Sequence, residues 1–374
     1  MAQKSKEVYA SLLKDSVLNV PEYVPGKTTS QIVAEYGLNP DTVIKLNANE
    51  NPLGPSKKVT KAIQKEAENA SLYPTADASA LRAALVGYTG FPAENIVASG
   101  PGMDSLIDGI NKLFVGEGDE VIVPVPTFTY YGISAASLGG VPVYVNLNDD
   151  YSLNVNAILD AVTEKTKIIW LCSPNNPTGT VVDAEDVRKL AEQTKTIIFI
   201  DEAYIEFSKA GSLSALIKEY DNIVIGRTFS KAFGLAGMRL GYVIASEQIV
   251  SGLLRVLPPF AVSILAEVAA IAAIDDKEYL ESGVAMVQAE REKLVDAIEK
   301  TPYKAYPSEG NFIIADVSPK ASKEAVDAFL RKGIIIRSCD SFQNIGKNTV
   351  RITVGTPEMN QKVIEAFKYL SDEK

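Results

Sequence analysis

Histidine is absent from the 374 residues. That zero excludes His-based catalytic triads, His general bases and nearly all catalytic zinc sites, so no metal site is expected and proton transfer falls to Lys, Asp, Glu, Tyr or Cys. Cysteine is almost as scarce. Cys172 and Cys339 are too few for a disulfide framework or a zinc cluster, and the expectation is two buried thiols in a reducing cytoplasm. Long apolar runs are missing too: the most hydrophobic stretch, residues 260–274, is broken by Ser263 and Glu267 and falls short of the roughly 20 residues of a membrane span. The first residues carry Lys4, Lys6, Glu7, Lys14 and Asp15 without an apolar core, so no secretory signal is expected. Positive charge is in deficit. Against 47 acidic residues stand 37 basic ones, a net charge of −10, which works against nucleic acid or anionic membrane as partners; an anionic ligand would need local arginines.

What is present is the composition of a folded enzyme-sized chain, 46% hydrophobic and 22% charged, with length for about two domains. Short β-branched runs at residues 95–99, 120–125, 141–146, 167–172, 196–200, 222–226 and 240–245 alternate with helical patterns at 105–114, 184–193 and 262–274. The runs read as strands buried on both faces of a mostly parallel, doubly wound α/β sheet. After an amphipathic stretch at 276–300, the order strand (311–317), helix (322–332), strand (334–338), strand (349–355) and closing helix from Pro357 suits a smaller α+β domain. The expected division is an irregular N-terminal arm over 1–50, a large domain over 51–275 and a small one over 276–374.

In open α/β sheets ligands bind at the carboxyl ends of the strands, and four runs end in clusters with chemical content. Gly100-Pro101-Gly102-Met103-Asp104-Ser105 is a glycine turn opening a helix, able to offer N–H groups to a phosphate, although many tight turns look the same. Ser173-Pro174-Asn175-Asn176-Pro177-Thr178-Gly179 presents two asparagines, and without its neighbours it is a plain loop. Asp201, in Asp201-Glu202-Ala203-Tyr204, follows a fully apolar strand; it is either a helix cap or a carboxylate expected to meet a cation. The fourth cluster runs from Arg227 through Thr228, Ser230 and Lys231 to Arg239. Its apolar neighbours Phe229, Phe233, Leu235 and Met238 argue that Lys231 is a partly buried nucleophile rather than a solvated lysine. A lysine for an aldehyde, an acid for a ring nitrogen, donors for a phenolate oxygen and a phosphate cup together fit pyridoxal phosphate. In residues 349–355, Arg351 alternates with Val350 and Ile352, so a guanidinium shares its face with Thr353 and can bind a carboxylate or phosphate bidentately; a structural ion pair competes with that reading, more strongly for Arg337.

On these residues the sequence resembles the fold type I pyridoxal-phosphate-dependent aminotransferases, and within them the histidinol-phosphate aminotransferase branch. The resemblance runs from Tyr23-Val24-Pro25-Gly26 through Leu46-Asn47-Ala48-Asn49-Glu50-Asn51-Pro52-Leu53-Gly54 to Arg351-Ile352-Thr353-Val354-Gly355-Thr356-Pro357-Glu358. Ser230-Lys231 with Arg239 eight positions on, and Asn176-Pro177-Thr178-Gly179, carry the superfamily's mark; Asn47 to Gly54 points to the branch. The resemblance implies that Lys231 carries the cofactor and moves the proton, that Asp201 pairs with the ring nitrogen, and that Asn176 and Tyr204 hold the phenolate oxygen. It implies a phosphate held by Thr228, Ser230, Arg239 and the backbone at Gly102 and Met103, with Asp104 also among the cofactor-binding residues, Tyr73 reaching the phosphate from a second subunit of a homodimer and Phe128 stacking on the ring. Arg351 and Arg337 would bind the acidic groups of histidinol phosphate and glutamate, while Tyr23 and Asn49 cover the site from the arm. Where members usually read Gly-Ala-Asp-Glu, this chain has Gly102-Met103-Asp104-Ser105, and the larger Met103 is expected to bear on the phosphate cup. Competing expectations are an aromatic amino acid aminotransferase, a decarboxylase of a phosphorylated amino acid such as threonine phosphate and, ranked last, a non-enzymatic regulator.

Overall fold

The computed structural model describes residues 12–18, 20 and 29–372. In chain order its strands are β1 (Ile44–Lys45), β2 (Ile96–Ser99), β3 (Glu120–Val125), β4 (Val141–Asn146), β5 (Thr166–Cys172), β6 (Ile197–Asp201), β7 (Ile223–Thr228), β8 (Gly241–Ile244), β9 (Lys304–Ala305), β10 (Phe312–Asp316), β11 (Ile334–Ile335), β12 (Arg337–Ser338) and β13 (Thr349–Thr353). Seven of them form one sheet in the order β2-β8-β7-β6-β5-β3-β4. The pairs β7-β6, β6-β5, β5-β3 and β3-β4 are parallel, whereas β8 runs antiparallel to both its neighbours.

Period-two alternation builds the core. Ile169, Leu171, Ile198, Ile200, Ile223 and Ile225 point to one face, where the helices Ser79–Thr89, Ala184–Gln193 and Ile264–Ile274 cover them. Ile168, Trp170, Phe199 and Val224 point to the other, beneath the helices Met103–Phe114, Tyr130–Ser137 and Glu247–Val256. With both faces covered the sheet is doubly wound, as the β-branched runs imply. The expectation of burial on both faces fails at β4. It is an edge strand with Val141, Tyr144 and Asn146 exposed, and Pro142 suits an edge because it has no N–H to offer a further strand.

A four-stranded antiparallel sheet, β12-β13-β10-β9, lies toward the C-terminus, covered by the helices Lys277–Ile298, Ser322–Arg331 and Pro357–Asp372. Residues 29–50 are less irregular than their prolines and glycines suggest: they hold the helix Thr29–Tyr36, and β1 pairs in parallel with β11. Ile44 and Leu46 join the C-terminal apolar cluster, Leu46 N–H donates to Ile335 O at 2.8 Å, and Thr353 N–H donates to Leu46 O at 2.9 Å. This stitching carries Asn47, Ala48 and Asn49 across to the carboxyl ends of the large sheet. Tyr23 lies outside the described residues. Among the described residues no helix is long and apolar enough to cross a membrane.

Candidate active site

β6 ends on Asp201, which is 4% exposed. The cation expected beside it is not there: among the described residues Asp201 has no ion-pair partner, and its oxygens accept from two neutral donors instead, Oδ2 from Tyr131 Oη at 2.7 Å and Oδ1 from Ala203 N at 3.0 Å. Burial pushes its carboxyl up to about 6, with those two hydrogen bonds pulling the other way, Asp104 adding to the rise and the charge of Lys231 opposing it.

Lys231 follows β7. Its Nζ donates to Ala48 O at 3.3 Å and lies 5.4 Å from the centre of the Tyr204 ring. Part of the side chain still meets solvent, yet the surrounding protein draws the ammonium down to about 8, first by desolvation and then through the charge of Arg351, while Glu50 opposes the shift and Arg239 adds to it. Such a lysine is still mostly an ammonium at neutral pH, but it carries a far larger share of the free amine nucleophile than an ordinary lysine does.

Asn176, on the loop after β5, accepts from Arg351 Nη1 at 2.5 Å through Oδ1, leaving its amide N–H₂ for another acceptor. Tyr204 is buried with its ring edge-on to Phe312, its hydroxyl accepts from Asn49 Nδ2 at 3.2 Å, and desolvation raises it to about 12, so it stays a phenol. Asn49 itself is buried in the left-handed region at φ 54°, a conformation asparagine tolerates, and is tied to Thr353 and Asn311.

At the opposite end of the crevice Thr228 Oγ1 donates to Ser230 Oγ at 3.0 Å, next to Arg239, which pairs with Asp104 at 3.1 Å. Gly102, at φ 72°, caps the helix Met103–Phe114, and its N–H is spent on Arg239 O at 2.8 Å. Gly102 N therefore cannot cradle a phosphate as expected, whereas the first-turn N–H groups that follow have no intrahelical partner. Met103 does not fill the cup: it belongs to the apolar cluster under the sheet, and a Cβ on Gly226 would come within 2.9 Å of its Sδ, so the glycine on β7 makes its room. Phe128, half-buried, stands edge-on to Tyr131 at 5.5 Å.

Arg351 is 6% exposed and meets no acid among the described residues. Its Nη2 donates to Asn47 O at 2.8 Å, its Nε has no partner among the described residues, and burial lowers its affinity for its proton. Arg337 sits directly across the ladder from it, exposed, with Nη2 on Ser341 Oγ at 3.1 Å. The structural ion pair that competed for both is thus absent among the described residues. Tyr73 stands apart, 87% exposed, its ring 5.5 Å from Phe260. Sequence reasoning missed Tyr131, Asn311 and the Asn47 and Ala48 carbonyls and gave Thr353 no role in the site; Tyr131 lies three residues beyond Phe128, in the same segment after β3.

The family described as aminotransferase class I and II matches residues 41–367. The chain is 51% identical over 362 residues to a histidinol-phosphate aminotransferase of Methanosarcina mazei, covering 97% of each, and 39% identical to one of Methanocaldococcus jannaschii, covering 95% of this chain and 96% of that one. It superposes at a TM-score of 0.86 on the crystal structure of a histidinol-phosphate aminotransferase from Sinorhizobium meliloti in complex with pyridoxal-5'-phosphate, with 26% identity and coverage of 96% and 97%. The chain belongs to the class I and II aminotransferases.

Proposed function

We propose that the chain is a pyridoxal-phosphate-dependent aminotransferase that exchanges an amino group between glutamate and the ketone of histidinol phosphate. The carrying observation is a buried carboxylate, Asp201, that among the described residues pairs with no cation, in the same crevice as a lysine with a depressed proton affinity and a buried arginine that among those residues meets no acid. Each is costly in isolation and each matches one group of the cofactor or substrate. When bound, the cofactor supplies an aldehyde that bonds to amines and a ring that takes up the electrons released as the substrate's Cα loses its proton.

The chain's own residues do the rest. Lys231 holds the cofactor and moves the proton at the substrate's Cα, Asp201 keeps the ring nitrogen protonated, and the Asn176 amide and the Tyr204 hydroxyl donate to the phenolate oxygen. Ser230, Thr228, Arg239 and the first-turn N–H groups of the helix Met103–Phe114 hold the phosphate, and Phe128 stacks on the ring. Arg351 and Arg337 bind the substrate's acidic groups, with Asn49 fixing the segment that closes over them. The exposed Tyr73 hydroxyl, which bonds to no other described residue, suits a phosphate held in a second copy, so the working form is a homodimer. Two buried free thiols fit a cytoplasmic setting.

The names of the relatives and the paired arginines favour the phosphorylated substrate. Steady-state assays with glutamate and the ketone of histidinol phosphate, beside phenylpyruvate and threonine phosphate, test it: faster turnover of phenylpyruvate would transfer the assignment to aromatic amino acids, and release of carbon dioxide would end the aminotransferase reading.

A further inference from the structure

We infer that Tyr131 is a positioning residue for the acid at the cofactor's ring nitrogen, its phenol fixing the plane and charge of the Asp201 carboxylate. The inference rests on the role given to Asp201 above.

Asp201 is held by one donor on each oxygen, Tyr131 Oη at 2.7 Å on Oδ2 and Ala203 N at 3.0 Å on Oδ1, so the carboxylate cannot turn about its own axis without losing one of them. A carboxylate has about four lone-pair positions, so two donors leave acceptor capacity for a ring N–H. Tyr131 is itself immobilised: fully buried, stacked on Trp170 at 5.0 Å with 6° between the planes, and met edge-on by Phe128. Burial and the neighbouring Asp201 charge drive its phenol well above the usual range, which makes it a permanent donor.

The other groups facing Asp201 are the Cys172 thiol from β5, Asp104 from the helix Met103–Phe114, and Lys231 from the loop after β7. Asp104 favours the protonated acid and Lys231 the ionised one, and the Tyr131 hydrogen bond is the first counterweight to burial. Removing it lets Asp201 take a proton at higher pH, and a neutral carboxyl cannot hold a positively charged ring nitrogen.

The test is cofactor affinity of the cofactor-free protein, measured by visible absorption at about pH 6 and about pH 8. Tyr131→Phe keeps the ring stack and removes the hydroxyl, with its donation to Asp201 and its contact with the Cys172 thiol; it should weaken binding about tenfold at the lower pH and little at the higher, and lower kcat with KM nearly unchanged. Combined with Asp201→Asn, the same change should add nothing. Replacing Tyr131 with 3-fluorotyrosine, which keeps the fold's shape and strengthens the donor, should shift the affinity at the lower pH the opposite way. A loss of equal size at both pH values, or one that persists in the Asp201→Asn background, would overturn the inference alone. Wild-type affinity and spectrum in the single Asp201→Asn variant would overturn the placement of the acid itself, and this inference with it.

Discussion

Arg337 and Arg351 are directly opposed across the β12-β13 ladder, and among the described residues neither guanidinium meets a carboxylate. Like charges in such a pair oppose folding, and burial has already lowered the proton affinity of Arg351, with Arg337 lowering it further. Two arginines kept together at that cost in an acidic protein suit a ligand with more than one negative charge. Arg351→Lys keeps a charge but loses the planar fork, so both half-reactions should lose on the order of 1–3 kcal/mol of transition-state binding, whereas Arg337→Lys should change their ratio. Single-turnover rates with glutamate and with histidinol phosphate measure the two separately. Equal losses in both for Arg337→Lys would deny it a role in substrate choice.

Lys231→Met should abolish turnover while leaving noncovalent cofactor binding, because no other group offers an amine at that point. Borohydride reduction of the wild type and peptide mapping should mark Lys231, and a mark on another lysine would remove the assignment. The same variant has a stability signature. The folded-state pKa of Lys231 is depressed to about 8, so the contribution of its ionisation to stability is present above the usual 10.5 and is lost as pH falls through about 8. The cofactor-free variant should therefore melt above the cofactor-free wild type near neutral pH, with the gap closing in strong alkali.

Much of the site was legible because strand ends are. Apolar runs located β5, β6 and β7, and the residues at or just beyond their ends are, in that order, the asparagine, acid and lysine of the crevice; alternation of Arg351 with Val350 and Ile352 told which face the guanidinium takes. Strand direction is not written in local alternation, so antiparallel β8 was invisible. β1 has two residues and a partner almost 300 positions away, too little pattern and too distant a pairing for periodicity to reveal. Tyr131 is a core residue by burial and packing, and only its hydroxyl, aimed at Asp201, is chemistry, which a local pattern does not reveal. The commitment of Gly102 N–H to Arg239 O depends on a tertiary approach that no spacing encodes.

Tyr73 gives the shared-site prediction. Its hydroxyl bonds to no other described residue and its ring is 87% exposed beside Phe260, itself 47% exposed. Tyr73→Phe should weaken cofactor binding by about 0.5–1.5 kcal/mol, or somewhat more since the acceptor is charged. If the hydroxyl acts across a dimer, wild-type affinity should fall on dilution toward monomer while the Phe variant changes less. A monomer in sedimentation with full affinity would exclude the shared site.

Asp201 should cost the cofactor-free protein stability that the cofactor restores. Its folded-state pKa is raised from the usual 3.8 to about 6, chiefly by burial, so the folded chain binds this proton more tightly than the unfolded one. The resulting stabilisation is fully present below the unfolded value and is lost as pH rises through about 6, leaving above it an ionised carboxylate that is 4% exposed and, among the described residues, satisfied only by neutral donors. About two pH units correspond to a ceiling of about 3 kcal/mol. Asp201→Asn preserves the shape and still accepts from Tyr131, so without cofactor it should be more stable than wild type by roughly 1–3 kcal/mol at about pH 8 and nearly equal at about pH 4. With the cofactor the order should reverse, because a ring N–H beside an ionised Asp201 is a charge-assisted hydrogen bond that asparagine cannot reproduce. Urea unfolding with and without cofactor at the two pH values measures all four differences. A gap between variant and wild type that does not change with pH would show that Asp201 is not ionising in this range, and an unchanged order on adding cofactor would remove it from the ring nitrogen.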